Sequence, residues 1–286
     1  MLTSYLKLKF FQLTLERFPN LYRPSSKPFI SGDTFRNMSN LVFDESSRFN
    51  PDQVKEKDIV FLNPDVIDVY FQSYHDKIKN NYYLITHNSS INISKYIDKY
   101  IDEKIIHWFG VNLEFKNPKA TLIPMGLENL RRLRYGRKKW FRKVKINKSK
   151  YILCSFDQYK NFEARHDIKN IISENNSIDY NIFSSNENYF NSLNNYRFLL
   201  CPEGEGFDTS RIWEGLYLNV FPIFKLNGFS SILKELELPG IYLDEWNELN
   251  NFDKKYFETK YAQLTKKTYP DIQNYSYWKN IFEKLD

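Results

Sequence analysis

The 286-residue sequence contains no Asp-x-Asp and no grouping of His, Cys, Asp and Glu at ligand spacing. The usual sequence signs of a carboxylate- or thiolate-held metal are therefore missing, and no metal ligand is expected. Cysteine is reduced to Cys154 and Cys201, each inside an apolar run. Two thiols exclude a disulfide framework, suit a reducing compartment and read most simply as small buried hydrophobes. Glycine (9) and proline (11) are scarce, so a place where glycines cluster is informative. No run of roughly 20 apolar residues exists, and the opening MLTSYLKLKFFQLTLERF is broken by Lys7, Lys9 and Glu16. The expectation is a cytoplasmic protein, peripheral to a membrane at most. Acidic residues are missing from one segment: Arg131 to Lys150 holds eleven Lys or Arg and no Asp or Glu. Net charge is +6, yet without that segment 30 cations face 35 acids. A nucleic-acid binder would show a broader basic surface interleaved with aromatics, so nucleic acid is not an expected partner. The segment reads as a solvated hinge or as a weak contact with an anionic membrane surface.

What is present suffices for a large core: 42% apolar residues, with 24 Phe and 21 Tyr. Strand-like runs fall at Asp58 to Pro64, Tyr82 to Ser89, Ile105 to Asn112 and Ala120 to Gly126. A second series follows at Tyr151 to Phe156, Asp179 to Ser185, Tyr196 to Gly204, Val220 to Leu226 and Gly240 to Trp246. Helical stretches are predicted at Val66 to Lys79, Ile93 to Lys104, Glu163 to Asn175, Glu187 to Asn195, Asp208 to Leu218 and Ser230 to Leu236. Near-continuous apolar strands alternating with helices indicate parallel sheets covered on both faces. The predicted fold class is α/β, with two Rossmann-like doubly wound domains facing a cleft. The expected boundaries are 1–135 for an acceptor-side domain, 136–150 for a basic connector and 151–252 for a donor-binding domain. Residues 253–286 read as C-terminal helices broken near Pro270. In such sheets ligands sit beyond the carboxyl ends of the strands, which directs attention to the residues that follow each run.

The most informative of these is Phe198 to Phe224, FLLCPEGEGFDTSRIWEGLYLNVFPIF. A strand runs into a turn holding Gly204 and Gly206, and a helix follows with Asp208, Thr209 or Ser210 as N-cap. A glycine turn feeding a helix N-terminus can present amide groups and a positive dipole end to an anion. Arg211 in the first turn can add a bidentate phosphate contact. Glu214, three residues on, shares its polar edge and suits ribose hydroxyls. An intrahelical Arg–Glu ion pair explains the same spacing equally well.

The segment resembles the C-terminal signature of exostosin-like glycosyltransferases of bacterial and viral type: C-P-x-G-x-G-x-D, then R-x-W-E-x-L-Y-x-G-x-x-P-I. One position departs, Asn219 standing where the family usually has glycine, which a left-handed helix end accommodates. More loosely, SGDTFRNMSNLVFD (Ser31 to Asp44), YYLITHNSS, WFGVN (Trp108 to Asn112) and IPMGLEN (Ile123 to Asn129) resemble the same group in order. The resemblance implies a two-domain glycosyltransferase of the B type. It also implies inverting, metal-independent transfer from a nucleotide-sugar, a UDP-sugar before a GDP-sugar, to a glycan or lipid-linked acceptor. No further cofactor is expected.

Such a displacement needs a proton acceptor and stabilisation of the leaving diphosphate. Arg165, opening a helix after the first strand of the second series, is a second candidate phosphate ligand, with a solvated helix arginine as the alternative. Two candidate bases stand open: His87, ending an apolar strand beside Asn88, and Asp33 in the Gly32-Asp33-Thr34 turn. Each has a structural alternative, a buried His bonded to a loop and an Asx-turn carboxylate. Asn88, Glu128 and Asn129 are candidates for acceptor or cleft contacts, or for simple capping. His75 and His166 are expected to be solvated. A non-catalytic nucleotide- or glycan-binding protein on a transferase-like scaffold is the competing class.

Overall fold

A computed structural model of the chain describes residues 22–157, 161–165, 168, 171 and 175–285. They divide into two compact units, residues 22–137 with 272–285 (unit 1) and residues 138–271 (unit 2). The basic connector expected at 136–150 is thus divided, Gly136 and Arg137 lying in unit 1 and Lys138 to Lys150 in unit 2.

Unit 1 is built on β1 (Leu41–Phe43), β2 (Ile59–Leu62), β3 (Tyr82–Thr86), β4 (Ile105–Gly110) and β5 (Ala120–Leu122). All pair in parallel in the order β1-β2-β3-β4-β5. Both β2 and β3 are buried along their whole length, which is why their apolar runs do not alternate. β1 is too short for a periodicity signal and was not predicted as a strand. Among the described residues the strand order runs in sequence, and a fully parallel five-stranded sheet is compatible with the expected Rossmann-like unit. Helix α1 (Gly32–Met38) occupies what reads in sequence as a turn, because Ser31 Oγ accepts from the Thr34 amide as N-cap. The predicted Val66 to Lys79 helix is α2 (Ile67–Ser73), preceded by a 3₁₀ turn at Pro64–Val66 and broken at Tyr74, after which a second 3₁₀ turn runs over His75–Lys77. Helix α3 (Ser94–Tyr100) precedes β4.

Unit 2 carries β6 (Lys150–Cys154), β7 (Ile178–Tyr180), β8 (Tyr196–Leu200), β9 (Phe221–Lys225) and β10 (Ile241–Leu243), all parallel. Their order is β7-β6-β8-β9-β10. The chain leaves β6 for β7 on one side and returns as β8 on the other, so the strand order reverses between β6 and β8. That is where the carboxyl edge of a doubly wound sheet opens a crevice. Helices α4 (Asn186–Leu193), α5 (Ser210–Tyr217) and α6 (Gly228–Glu235) connect the strands. α5 buries Ile212, Trp213 and Leu216, and a Cβ on Gly215 would stand 2.8 Å from the Val220 carbonyl oxygen. The helix backbone therefore lies close to its strand. The predicted helix from Glu163 to Asn175 is helical where described, at 162–165, 168 and 171. His166 lies outside the described residues, as does the chain before residue 22.

The C-terminal stretch divides as well. Helix α7 (Lys254–Lys266) stays in unit 2, setting Phe257 against Phe198 at 5.8 Å between rings. Helix α8 (Tyr275–Phe282) belongs to unit 1, where Trp278 and Phe282 meet the Phe35 ring of α1 edge-on. None of the helices among the described residues is long and apolar enough to cross a membrane.

Candidate functional site

In unit 2 the residues that follow β6 and β8 converge at the reversal of strand order. Cys154 ends β6 and Cys201 follows β8, both buried. Above them lie two guanidinium groups. Arg165 is buried, donating from Nε to the Glu203 carbonyl (2.9 Å) and from Nη1 to the Asp157 carbonyl (2.6 Å). Burial first, and neighbouring Arg211 next, lower its pKa. Arg211 lies in the first turn of α5 and is half-buried, with an Nε that is buried without a hydrogen-bond partner. Positive charge is therefore concentrated at a helix N-terminus on the carboxyl edge of a parallel sheet.

The glycine turn shapes the approach to this pair. The Gly204 amide donates to the Gly206 carbonyl (3.0 Å), and Asn161 Nδ2 donates to the Gly204 carbonyl (2.7 Å). A Cβ on Gly204 would lie 3.2 Å from Thr209 Cγ2 and 3.4 Å from Arg165 Nη2, so the position favours a residue without one. Of the three N-cap candidates the cap position falls to Thr209, and Asp208 Oδ1 accepts from buried Trp213 Nε1 (2.8 Å). Glu214 is buried on α5 and accepts from the Tyr189 hydroxyl (3.0 Å), a partner no sequence signal marked. Asn219 adopts φ 54, the left-handed conformation that lets it stand in for glycine. Beside the arginines opens a pocket of about 390 Å³ bordered by Glu203, Phe207, Lys225, Asn227, Phe229 and Trp246. Asn227 Nδ2 donates to Glu203 Oε1 (2.6 Å), and Lys225 pairs with Glu245 (2.6 Å).

In unit 1 four candidates gather at the carboxyl end of β3. Asp33 is fully buried, and its Oδ1 accepts from Arg23 Nη1 (3.0 Å) and Asn88 Nδ2 (3.2 Å). Asn129 Oδ1 accepts from the Asp33 amide (2.7 Å), and Asn129 Nδ2 donates to Asn88 Oδ1 (2.7 Å). Asp33 Oδ2 has no hydrogen bond and lies 3.5 Å from Arg131 Nε. Arg23 also pairs with Glu45. These extra partners, Arg23, Glu45 and Arg131, were not foreseen; Glu45 follows β1, so the strand-end rule would have found it had β1 been recognised. Asn88, at φ 69, turns its side chain back into this network.

His87 is 2% exposed and its ring is fully engaged: Nε2 faces the Pro124 carbonyl oxygen (3.2 Å) and Nδ1 accepts from the Asn88 amide (2.6 Å). Burial lowers its pKa to about 4. The neutral ring thus has no spare lone pair. Glu128, half-buried, accepts from the Tyr135 amide (3.0 Å), and burial raises its pKa. His75, expected to be solvated, is instead buried between the Tyr82 hydroxyl (2.7 Å) and Asp102 (2.8 Å). No group of three His, Cys, Asp or Glu able to hold a metal ion occurs among the described residues. Compared with known proteins, the chain matches no family model and no curated sequence.

Proposed function

We propose that the chain is a glycosyltransferase whose nucleotide-sugar donor is bound through its diphosphate by Arg165 and Arg211. One observation carries the reading: two guanidinium groups, from the segments leaving β6 and β8, meet at the reversal of strand order, and Arg211 adds to the cost that burial places on the charge of Arg165. An arriving diphosphate relieves that repulsion and accepts charge-assisted hydrogen bonds. Glu214, oriented by Tyr189, is the proposed ribose ligand, and the adjoining pocket has room for a sugar or a base. In the inverting, metal-independent reaction that the motif resemblance implies, the acceptor oxygen bonds to the anomeric carbon. The bond to the diphosphate oxygen breaks, its electron pair leaves with the nucleoside diphosphate, and the hydroxyl proton passes to a base. Of the two candidate bases in unit 1, Asp33 keeps one oxygen, Oδ2, without a hydrogen bond, whereas both ring nitrogens of His87 are engaged. The test is a thermal-shift screen against UDP, GDP, CMP and their sugars, where a ligand at 100 times its Kd adds about 2.7 kcal/mol. Arg211→Ala and Arg165→Ala should abolish that gain and, by mass spectrometry, product formation. Wild-type turnover in both variants would refute the assignment.

A second reading is a non-catalytic nucleotide- or glycan-binding protein. It is favoured by the burial of both candidate bases, Asp33 behind Arg23 and Arg131 and His87 between two backbone partners. Calorimetric binding of a nucleotide-sugar, with neither transfer nor donor hydrolysis, would establish it over the first.

A further inference from the structure

We infer that the basic loop of unit 2 docks on an anionic lipid bilayer surface, with Ile146 entering the headgroup layer. Ile146 is 87% exposed and Val144 is also exposed, both set among Arg142, Lys143 and Lys145. Among the described residues none of Lys139, Arg142, Lys143 and Lys145 pairs with a carboxylate. The loop is held in place rather than left to solvent. Asn194 Nδ2 donates to the Lys143 carbonyl (2.8 Å), and the Lys145 amide donates to Asn194 Oδ1 (2.9 Å). Buried Lys148 donates to the carbonyls of Asn194 (3.0 Å) and Leu218 (2.7 Å), closing the C-terminal ends of α4 and α5. Fixed cations around a bare branched aliphatic side chain match an anionic interface, where charge attracts and an apolar group inserts.

Nucleic acid fits less well. The aromatic residues of this loop face inward: Phe141 is buried, and Trp140 stacks on Phe190 at 5.4 Å with Lys139 over its ring. Neither offers a face to a base. The loop sits at the amino ends of β6 and β8, the edge opposite Arg165 and Arg211. A five-residue strand spans roughly 17 Å, so docking here leaves the carboxyl edge of unit 2 turned away from the lipid. The inference does not depend on the donor reading.

The test is co-sedimentation of the full chain with phosphatidylcholine vesicles, with and without phosphatidylserine. Binding is expected only to the mixed vesicles and is released by salt. Each cation near such a surface contributes roughly fivefold to partitioning, so Arg142→Gln with Lys143→Gln should weaken it by about 25-fold. Ile146→Ser should weaken it by about tenfold while leaving the salt dependence intact. Unchanged melting temperatures would confirm that the exposed substitutions leave the fold alone. No sedimentation with phosphatidylserine, no effect of Ile146→Ser, or tighter binding to single-stranded RNA at the same salt would each overturn the inference.

Discussion

His87 should give unit 1 an acid-labile stability component in a pH window of its own. Its folded pKa is about 4 against an ordinary 6.5, with burial as the cause. Between those values the unfolded chain holds more protons than the folded one, so stability rises with pH across the window. The contribution is complete above 6.5 and disappears as pH falls toward 4. The gap corresponds to about 3 kcal/mol, a large part of the roughly 5–15 kcal/mol that holds a domain together. In a unit of this size that is a fall of about 6–12 °C in melting temperature. Asp44 and Asp102, whose carboxyls are held low by hydrogen bonds against the opposing effect of burial, lose their contributions at lower pH. Glu128, with its pKa raised by burial, works in the opposite direction. The assay is therefore a difference: melting curves from pH 7 to 4 for the wild type and for His87→Gln. The wild type should lose more stability over that range. Parallel curves would show that His87 titrates normally and that its two backbone bonds do not form.

Two further outcomes follow from the packing. Burial pushes the Cys201 thiol up to about 12 and the Cys154 thiol higher still, so neither should react with a thiol reagent in the folded protein at neutral pH, and both should on unfolding; fast native labelling would refute the burial. Gly32→Ala would place a Cβ 1.8 Å from Asn88 Oδ1 and 2.5 Å from His87 Nδ1; the Asp33–Asn88–Asn129 network must shift, and differential scanning calorimetry should register a loss of 1–3 kcal/mol as an order of magnitude.

Sequence reading located the strands well because fully buried strands such as Ile59–Leu62 leave an apolar run that needs no partner to be seen. It failed where a residue's role is set by contacts distant along the chain. His75 looks like a polar helix residue until Tyr82 and Asp102, 7 and 27 positions away, enclose it. Arg131 reads as part of a solvated basic run, yet it faces Asp33 nearly a hundred residues earlier. Asp208 was legible as a polar residue at a helix start, but its bond to Trp213 depends on how the indole packs beneath α5. Asn88 and Asn219 were legible in a stricter sense, since asparagine is among the few residues that tolerate φ 69 and φ 54.

Arg211 separates stability from binding in a way that Arg165 cannot. Arg165 is tied to two backbone carbonyls, so its removal costs the fold hydrogen bonds as well as charge. Arg211 has a buried Nε with no partner and adds to the electrostatic burden on Arg165. In the unliganded protein Arg211→Gln should therefore be neutral or stabilising by up to about 1 kcal/mol, as expected where a site trades stability for binding. The same change should weaken nucleoside diphosphate binding by roughly 10–100-fold, the worth of about 1.5–3 kcal/mol in charge-assisted hydrogen bonds. Melting curves without ligand and calorimetric titration with UDP or GDP read the two effects separately. A variant that loses stability while binding nucleotide like the wild type would mean that Arg211 braces the start of α5 and does not await an anion.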